Sequence, residues 1–503
     1  MSSGPNVADY LLEQAAVDDI AVVADGAQHT YAGLRAAAGT VAAELARLDL
    51  PAGARVGVLG ANSLFWVAGY LATLKLDLVA VPIPDRLTPA DVARNARQVG
   101  LDAVLVDRRS LRRFGSAFET HVAVVTDEVL SSGQDQHWPS STTDPDQDAV
   151  LMFTSGSTAA PRVVRVTHRN IRANTDSIVD YLGLRADDRA LVVLPFSYCY
   201  GASLLHTHLR VGARLVVCNS FVYPETAIDL LDREGCTVLA GVPSSFQLLL
   251  RASSFANRPL PSLRLIQQAG GKLPQVLVDE LRAAQPGADL YVMYGATEAT
   301  ARLSYLPPEL LDTKPGSVGR GIPGVELRVL GEDGRPVAPG ERGQIYATGD
   351  NIGPGYLDDP EATAAKFTEH GLRTGDVAVV DDEGFIYIVD RADDFIKSWG
   401  HRVSSQEVEA CALRLEDLVS AAAVGVPDDE AGEAVTLFVT RRPGAEVDPD
   451  EVLAFMRAEL PTHMVPRSVH VLDSLPLTTN GKTAKAALRE LATGRAGERA
   501  RVG

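Results

Sequence analysis

The stretch "LMFTSGSTAAPRVVRVTHRN", residues 151–170, is the first part of the chain whose residue types suggest chemistry. After an apolar, strand-like run come five small residues, namely Thr154, Ser155, Gly156, Ser157 and Thr158. Hydroxyls and backbone amides in such a turn form a concave site for an anion. Taken alone, the stretch is more typical of an ordinary polar turn, because a Walker-type loop continues with Gly-Lys-Ser/Thr into a helix. Here "RVVRVT" continues as an alternating strand, and Thr167 with Asn170 predicts a helix start only after it.

A second stretch, "YVMYGATEAT" at residues 291–300, places a hydroxyl and a carboxylate directly after an apolar strand and a glycine. These two groups belong to Thr297 and Glu298. Mg²⁺ prefers oxygen ligands and commonly shares them with phosphates. An exposed hydroxyl and carboxylate at this point therefore suit a triphosphate and its Mg²⁺.

The elements that position these residues follow an alternating pattern. Short apolar runs such as "ARVGVLG", "DAVLVD" and "RALVVLP" alternate with segments of helical period such as "YAGLRAAAGTVAAELARL". This alternation predicts an α/β fold with mostly parallel, buried strands. From about residue 318, "GVELRVLGEDGRPVAPGERGQIYATG" predicts short strands joined by Asp-Gly and Pro-Gly turns, which we interpret as a β-barrel-like subdomain.

The C-terminal part of the chain is predicted to form a separate small α+β domain. The pattern predicts a helix from Ser405, strands at "SAAAVGV" and "AVTLFVT", a helix from Asp448 and a last strand at "RSVHVL". The final residues, "ATGRAGERARVG", show no periodicity and are expected to be loose. We therefore predict a large N-terminal domain at 1–392, a small C-terminal domain at 393–490 and a flexible tail at 491–503.

Composition limits the candidate functions. A length of 503 residues favours two or more domains, and a net charge of -18 with a pI near 5.0 disfavours nucleic-acid and anionic-membrane binders. The most apolar stretch, "FWVAGYLATLKLDLVAVPIP", contains Lys75 and Asp77, so no membrane span is predicted. Four cysteines without CxxC spacing, and a start without a secretory signal pattern, predict a cytoplasmic protein. No pattern indicates an oligomeric state.

Five blocks in a fixed order carry a resemblance that covers nearly the whole chain. They are the two stretches above, "GPGYLDDPEATAAKF" at 353–367, "LRTGDVAVVDDEGFIYIVDRADDFIKSWGHRVSSQEVEA" at 372–410 and "LPLTTNGKTAKAALRE" at 475–490. Their order and spacing resemble the AMP-forming adenylating superfamily of acyl-CoA synthetases, nonribosomal-peptide adenylation domains and luciferases, and acyl-CoA ligases most of all. The resemblance implies that the large domain binds ATP, Mg²⁺ and a carboxylic acid and forms an acyl-adenylate. The small, mobile C-terminal domain then rotates and opens a tunnel for the thiol of CoA.

The resemblance also implies which residues bind the nucleotide. Asp376, in "TGD", would hold the ribose hydroxyls, a role suited to an acceptor with two oxygens. Arg391 would lie near the same ribose. The other nucleotide positions would be residues 154–158, Gly270, Gly271, Tyr294, Gly295 and Ala296. The alternatives to these roles are that Asp376 is a turn or capping residue and that "RADD" is a solvated ion pair.

Catalysis would depend on Lys482, Thr297 and Glu298. Lys482, in "NGKTAK", matches the lysine that meets the reacting carboxylate and the α-phosphate, where a cation stabilises the transition state. Glu298 would also contact Mg²⁺. An isolated lysine after Asn-Gly would otherwise be solvated surface, so this assignment depends wholly on the family motif.

The remaining roles concern the acid, the thiol and the domain rotation. Phe196 and Tyr198 would line the acyl pocket, although Tyr198 could instead be a core aromatic. Trp399 and Gly400 would line the CoA tunnel, where a glycine lets the pantetheine pass close to the backbone. Asp393 matches the hinge between the two domain arrangements.

The chain departs from the family loop pattern, roughly TSG[ST]TGxPKG, at Ala159, Arg162 and Val163. A residue other than glycine costs ~1 to 2 kcal/mol where the backbone must be left-handed, and β-branched residues cost more. Arg162 replaces a compact ammonium with a planar fork, and Asp390 adds negative charge where "GR" is usual. We hypothesise that adenylation is slowed about tenfold to a hundredfold or more while acyl transfer to CoA survives.

On this hypothesis, a separate adenylating enzyme could supply the acyl-adenylate. Retention of Glu298 and Lys482 favours the opposite interpretation, in which the loop substitutions are sequence drift that does not affect adenylation. Other functions also stay open, namely a stand-alone enzyme that loads a carrier protein, a luciferase-like oxidase and a degenerate, non-catalytic acyl-adenylate-binding protein. An amino-acid-loading domain normally carries an aspartate near "PFSYCYG", and none stands there.

Overall fold

The computed structural model describes residues 4–132, 142–154, 161–221, 223–391, 395–428, 430–442, 444–478 and 482–499. Ser155, Gly156, Ser157 and Thr158 of the predicted phosphate loop, and Asp393 of the predicted hinge, lie outside the described residues. The α-helices are Val7–Leu12, Tyr31–Ala46, Leu64–Lys75, Pro89–Val99, Arg108–Phe114, His168–Leu182, Cys199–Arg210, Pro224–Arg233, Pro243–Ala252, Gln275–Ala284, Pro360–Lys366, Ser405–Ala412, Pro449–Glu459 and Lys485–Arg499.

A mostly parallel sheet forms the first part of the N-terminal domain. In spatial order its described strands are Gly355–Tyr356, Val163–Thr167, Asp148–Phe153, Val79–Ile83, Arg55–Leu59, Ala103–Val106 and Ala123–Thr126. All neighbours from Asp148–Phe153 onward are parallel, whereas Val163–Thr167 is antiparallel to both of its neighbours. The apolar runs are thus central strands buried on both faces, which confirms the prediction.

A second, larger sheet carries most of the predicted site. Its described strands, in spatial order, are Arg320–Gly321, Ser304–Leu306, Asp289–Tyr294, Leu265–Gln268, Val238–Gly241, Arg189–Val192, Arg214–Val217, Ile20–Ala24 and Ala27–Thr30. The strands from Asp289–Tyr294 to Ile20–Ala24 are parallel. Parallel strands present their carboxyl ends at one edge of a sheet, where ligands usually bind. The loops that carry Tyr198, Gly270 and Thr297 all follow strands of this sheet and so meet at that edge.

The main hydrophobic core lies between these two sheets. Helix Leu64–Lys75 is buried along its whole length and packs there with helices Tyr31–Ala46 and Cys199–Arg210. The most apolar stretch of the sequence is therefore a core helix followed by a core strand, and Lys75 Nζ pairs with Asp9 Oδ1 at 2.6 Å. Among the described residues, no helix has the length and apolar character to cross a membrane. The outer sheet faces are covered by helices Pro89–Val99, Arg108–Phe114, Pro224–Arg233, Pro243–Ala252 and Gln275–Ala284.

A small antiparallel sheet closes the N-terminal domain and corresponds to the predicted subdomain of short strands. Its strands are Val325–Leu330, Gly343–Gly349, Phe367–Thr368, Gly371–Val380 and Ile386–Arg391. The predicted Asp-Gly and Pro-Gly turns are present, with Gly334 at φ 74° and Gly340 at φ 82°. Only glycine adopts these left-handed values without strain.

The C-terminal domain has its own sheet and core. The sheet comprises His401–Val403, Ile396–Ser398, Gly432–Arg441, Leu418–Asp428 and Ser468–Leu472. Helices Ser405–Ala412 and Pro449–Glu459 cover one face, and helix Lys485–Arg499 covers the other. The predicted order of helices and strands is confirmed. The boundary near Asp393 stays a prediction.

The prediction of a loose tail is wrong for residues 491–499, which continue helix Lys485–Arg499. Leu488 and Ala492, one turn apart, are buried in a cluster with Ala422 and Phe438 of the sheet. A helix with so few apolar residues has little periodic signal, and Gly494 weakens its local propensity further. Tertiary burial supplies the stability that the sequence pattern does not reveal.

Candidate active site

Strand Asp289–Tyr294 ends in a turn that requires glycine. A Cβ added at Gly295 would lie 1.8 Å from the carbonyl oxygen of Ala301, far inside van der Waals contact. The chain then forms a short 3₁₀ helix, Thr297–Ala299, which holds two of the predicted catalytic side chains at the end of the strand. Thr300 follows at φ 65°, a left-handed conformation that is strained for a β-branched residue. Strain of this kind clusters at functional sites.

Asp376 connects the small antiparallel sheet to the end of this strand. The Tyr294 hydroxyl donates to Asp376 Oδ2 at 2.5 Å, and the aspartate is only 6% exposed. The main chain of Asp376 pairs with that of Arg391 in the antiparallel sheet. Since a carboxylate accepts about four hydrogen bonds, Asp376 can hold Tyr294 and also accept from ribose hydroxyls. The structure thus brings these three predicted nucleotide positions together.

The glycine loop after strand Leu265–Gln268 lies beside the predicted acyl pocket. Gly270 has φ 88°, and a Cβ there would lie 3.1 Å from the hydroxyl of Tyr198. Gln268 Nε2 donates to the carbonyl oxygen of Gly271 at 2.8 Å, which fixes the loop. Gly270, one of the two glycines predicted to flank adenine, therefore lies against the aromatic residue predicted to close the acyl pocket.

Cys199 marks the point where predicted catalytic residues from the two domains converge. Thr297 Oγ1 donates to Cys199 Sγ at 3.5 Å. The pKa of the Cys199 thiol is raised, chiefly by burial, and is lowered in part by the Thr297 hydrogen bond and then by the ammonium of Lys482. Lys482 belongs to the C-terminal domain, and its charge acts on this thiol of the N-terminal domain.

A narrow turn presents Lys482 to the cleft. Thr478 N donates to the carbonyl oxygen of Lys482 at 2.7 Å, and Lys482 N donates to Thr478 Oγ1 at 3.2 Å. Leu477 and Thr483 form an antiparallel bridge just outside this pair. These bonds fix the main chain of Lys482 against Thr478.

Glu298 is oriented by a tyrosine from another sheet. The Tyr356 hydroxyl donates to Glu298 Oε1 at 2.6 Å. The pKa of Tyr356 is raised, first by burial and then by the Glu298 carboxylate, so the phenol stays protonated as a donor. Arg162 Cζ lies 5.4 Å from the centre of the Tyr356 ring, and Arg162 Nε lies 3.8 Å from Asp359 Oδ2. The arginine that replaces the family lysine is thus engaged by protein side chains.

The base of the predicted phosphate loop belongs to the described residues. Thr154 N donates to the carbonyl oxygen of Arg162 at 2.9 Å, and Arg162 N donates to Thr154 Oγ1 at 3.2 Å. Val163 begins strand Val163–Thr167, pairs with Phe153 and is buried. The prediction of left-handed backbone strain at Val163 is wrong, because this residue lies in an extended strand and its side chain packs into the core.

The residues present fit an Mg²⁺ ion that arrives with a nucleotide. Across the described ranges, no group of three His, Cys, Asp or Glu side chains forms an all-protein metal site. Mg²⁺ usually binds one or two carboxylates together with substrate phosphates and water. The Glu298 carboxylate, held by the Tyr356 hydroxyl, is suited to be such a ligand.

Trp399 and Gly400 lie at an exposed tip of the C-terminal domain. They form the tip of the hairpin between strands Ile396–Ser398 and His401–Val403. Trp399 is 57% exposed, and a Cβ at Gly400 would meet no atom of the described residues within 4 Å. Their tunnel role stays a prediction.

Phe196 belongs to a buried aromatic cluster behind the site. Its ring centre lies 5.4 Å from that of Trp66, which stacks on Tyr70 at 5.5 Å. The Tyr70 hydroxyl lies 2.8 Å from Nε2 of His206. Burial lowers the pKa of His206 to about 3, so this imidazole is neutral at ordinary pH. Whether the cluster borders the acyl group stays a prediction.

We expect His206 to make the fold sensitive to acid. Its pKa is about 3 in the folded protein against a usual 6.5, so the unfolded chain binds this proton first as pH falls. The free energy of unfolding should then fall progressively as the pH drops from ~6.5 to ~3, by up to about 1.4 kcal/mol per pH unit. His206→Gln, which keeps a hydrogen-bonding partner for Tyr70, should flatten this loss in urea unfolding measured across that range.

The exposed His121 offers a matched control for the histidine experiment, because its side chain is 66% exposed. His121→Gln should leave the pH dependence of stability nearly as in the wild type. An unchanged acid slope in His206→Gln would contradict the prediction. A residual slope is expected from His168, whose pKa burial lowers to about 4.

Sequence reasoning missed three residues of the site. Cys199 and Arg302 are single residues in segments without a periodic signal for them, and each becomes significant only through contacts across the fold. Tyr356 lies in the block "GPGYLDDPEATAAKF", so that block was the available signal. Its bond to Glu298 joins positions far apart in the chain and was not predictable from spacing.

Comparisons with known proteins agree with this geometry. The family model described as "AMP-binding enzyme" matches residues 12–357, and the model "AMP-binding enzyme C-terminal domain" matches residues 407–482. The "3-[(3aS,4S,7aS)-7a-methyl-1,5-dioxo-octahydro-1H-inden-4-yl]propanoyl:CoA ligase" of Rhodococcus jostii is 31% identical, over 97% of this chain and 99% of that protein. A "Feruloyl-CoA synthase" of Amycolatopsis is 30% identical, over 92% of this chain and 94% of that protein.

A solved structure supports the same conclusion. ATP-bound MatB from Rhodopseudomonas palustris is 28% identical, with a TM-score of 0.86 over 97% of this chain and 98% of that chain. The fold and site define a two-domain adenylating enzyme. The chain belongs to the AMP-binding enzyme family and is an acid–CoA ligase of the AMP-forming type.

Proposed function

We propose that this ligase works through two half-reactions of which the first is weakened. In the first, a carboxylate oxygen attacks the α-phosphorus of ATP, and pyrophosphate leaves. In the second, the sulfur of CoA attacks the carbonyl carbon of the acyl-adenylate, AMP leaves, and the thiol proton goes to solvent. The observation that carries the proposal is the hydrogen bond from Thr297 to Cys199, a thiol whose pKa the ammonium of Lys482 also lowers. A cation at this point stabilises the charge that develops on the α-phosphate.

The proposed nucleotide site uses residues of both large sheets and the small antiparallel sheet. Asp376, oriented by Tyr294, accepts from the ribose hydroxyls. A Cβ at Gly270 would collide with Val242 and Tyr198, and we propose that adenine binds beside this loop. Mg²⁺ would supply charge neutralisation of the phosphates, and Glu298 would hold it.

The domain arrangement supports the adenylating half of the proposal. MatB from Rhodopseudomonas palustris compares with this chain at a TM-score of 0.86 when ATP is bound and 0.74 when it is not. The reach of Lys482 to Cys199 agrees with the ATP-bound likeness. We propose a second arrangement for the thioester step, in which rotation about Asp393 carries Trp399 and Gly400 into the thiol path.

The proposed weakening of adenylation gains support from the surroundings of Arg162. Its Cζ lies 5.4 Å from the centre of the Tyr356 ring and its Nε lies 3.8 Å from Asp359 Oδ2, and Tyr356 is the residue that donates to Glu298. A guanidinium so engaged offers less positive charge to the β- and γ-phosphates than a mobile lysine would. These phosphates leave with pyrophosphate, so the thioester step should be unaffected.

The two half-reactions can be measured separately. One assay supplies a panel of carboxylic acids with ATP and follows pyrophosphate release, and the other supplies preformed acyl-adenylates with CoA and follows acyl-CoA. We expect the second rate to exceed the first by about tenfold to a hundredfold. Comparable rates would leave the ligase assignment standing but remove the proposed weakening.

Restoring the family residues in the loop should restore adenylation. In the double variant Ala159→Gly with Arg162→Lys, we expect pyrophosphate release to rise about tenfold or more while acyl transfer from the adenylate to CoA stays constant. Val163 is left in place because it is a buried strand residue.

Arg165→Lys is the matched control for the loop variant. Arg165 lies in strand Val163–Thr167, which follows the loop, and its Nε pairs with Asp148 Oδ2 at 2.9 Å. It should change neither half-reaction. A double variant that adenylates no faster than the wild type would refute a loop origin of the slow step.

The same assays distinguish the other candidate functions. Transfer of the acyl group to a carrier-protein thiol but not to CoA would identify a loading enzyme. Binding of acyl-adenylate without turnover in either assay would identify a non-catalytic binder. If adenylation proves slow, we propose that a separate adenylating enzyme supplies the acyl-adenylate. We also propose a cytoplasmic location, in agreement with the four free, buried cysteines.

A further inference from the structure

Arg302 is the largest fully buried side chain of the described residues, with 1% of its surface exposed. Its position is fixed through the main chain. The side-chain amides of Asn174 and Asn351 donate to its carbonyl oxygen at 3.0 and 2.8 Å. The guanidinium is therefore held in the interior by the fold and does not snorkel to solvent.

The guanidinium has aromatic neighbours and no described carboxylate as a hydrogen-bond partner. Its Cζ lies 4.6 Å from the centre of the Tyr200 ring, and Tyr181 is a second aromatic neighbour that interacts with its charge. Nε and Nη2 make no hydrogen bond within the described part of the chain. A buried cation that lacks an anionic partner is strongly unfavourable. Its retention in the interior suggests a partner that binds from outside the chain.

The two unpaired nitrogens indicate what that partner is. Nε and Nη2 form one edge of the planar guanidinium, the edge that binds the two oxygens of a carboxylate side by side. A neutral acceptor would satisfy one nitrogen and leave the charge uncompensated. The geometry of Arg302 therefore favours a carboxylate.

The location of Arg302 connects this edge to the reaction centre. Tyr200, on which it stacks, belongs to helix Cys199–Arg210, which starts directly after Tyr198. Arg302 and Lys482 both lower the pKa of the same Cys199 thiol. Both cations therefore act on this thiol, Lys482 from the C-terminal domain and Arg302 from the interior of the N-terminal domain.

We propose that Arg302 binds a second carboxylate at the far end of the acid, so that this ligase prefers dicarboxylic substrates. The inference rests on the proposed function, because it takes the reacting carboxylate to lie at Lys482 and Thr297. The distal carboxylate would occupy the Nε and Nη2 edge. An acid with an apolar end would leave the buried guanidinium unpaired, and this difference produces the selectivity.

The test uses pyrophosphate exchange with matched acids. The pairs are succinate with butanoate, adipate with hexanoate and terephthalate with benzoate, and succinamate serves as the neutral isostere of succinate. For at least one pair, we expect wild-type kcat/KM to favour the diacid by about tenfold to a hundredfold. Arg302→Met should abolish this ratio, whereas Arg302→Lys, which keeps the charge without the planar fork, should retain part of it.

Arg172→Met is the matched control, because Arg172 also stacks on a tyrosine, Tyr10, at 5.2 Å. It should leave the diacid preference intact. A wild-type preference for the monoacids, equal use of succinamate and succinate, or an unchanged ratio in Arg302→Met would overturn the inference. If Arg302→Met does not fold, the wild-type ratio and Arg302→Lys decide.

Failure of the proposed function gives a different result. If no acid supports exchange, the proposed function falls, and calorimetric titration of the same diacids decides the inference separately. Binding that is weaker in Arg302→Lys than in the wild type and absent in Arg302→Met would uphold the carboxylate site. Equal binding to all of them, or binding to none, would overturn it.

Discussion

Replacing Lys482 with methionine should slow acyl-adenylate formation by about 10²- to 10³-fold. The ammonium is the cation that the C-terminal domain brings to the reaction centre at Cys199, where charge develops during attack on the α-phosphate. Methionine keeps an unbranched apolar stem and removes only the charge. A preformed acyl-adenylate should still be converted to acyl-CoA at close to the wild-type rate. Pyrophosphate release and acyl-CoA formation, measured separately, check this prediction.

Lys485→Met is the matched control for this variant, three residues further along the chain. Lys485 Nζ donates to Ser405 Oγ at 2.6 Å and pairs with Glu409 at 2.8 Å, all within the C-terminal domain. Its loss should lower the thermal stability of that domain without selective loss of adenylation. Equal slowing of both half-reactions in Lys482→Met would contradict the role assigned to this lysine.

Asp376→Ala should weaken both half-reactions by about a hundredfold or more, because the ribose is held throughout the reaction. Two charge-assisted hydrogen bonds at ~1.5 to 3 kcal/mol each account for a loss of this size. The effect should fall on the apparent affinity for ATP and for the acyl-adenylate. It is measured by titrating each nucleotide ligand and by both half-reaction assays.

Tyr294→Phe separates the role of Asp376 from structural damage. This change removes the donor to Asp376 Oδ2 but leaves the carboxylate in place. We expect it to cost less than about tenfold in nucleotide affinity. Thermal unfolding of both variants reports any loss of packing at the buried aspartate. A Tyr294→Phe defect as large as that of Asp376→Ala would assign the effect to local structure and not to the ribose.

The α/β fold was predictable because its elements have strong local signals. The run "DAVLVD" is apolar along its length and becomes the central strand Ala103–Val106, covered on both faces. The helix from residue 405 begins at a serine cap, Ser404, whose side chain accepts from Glu407 N. The tail helix was missed because it depends on burial of Leu488 and Ala492 against the C-terminal sheet, which no local pattern encodes.

The candidate site was predictable only as separate motifs. The spacing of "YGATE", "TGD" and "NGK" indicated which residues to consider. The hydrogen bond from Tyr294 to Asp376 and the meeting of Lys482 with Cys199 needed the folded chain. Val163 illustrates the opposite error, since the motif comparison assigned it loop strain and the structure gives it a buried place in a strand.

The amino-acid sequence by itself determined the order of strands and helices, the two-part organisation and the ligand-binding motifs, because periodicity, capping and turn residues act over a few neighbouring positions. Tertiary structure alone decided that Tyr356 orients Glu298 and that Arg302 is buried with one edge of its guanidinium unpaired. These features join distant parts of the chain. They depend on how sheets and helices pack together, and a local sequence pattern carries no record of that packing.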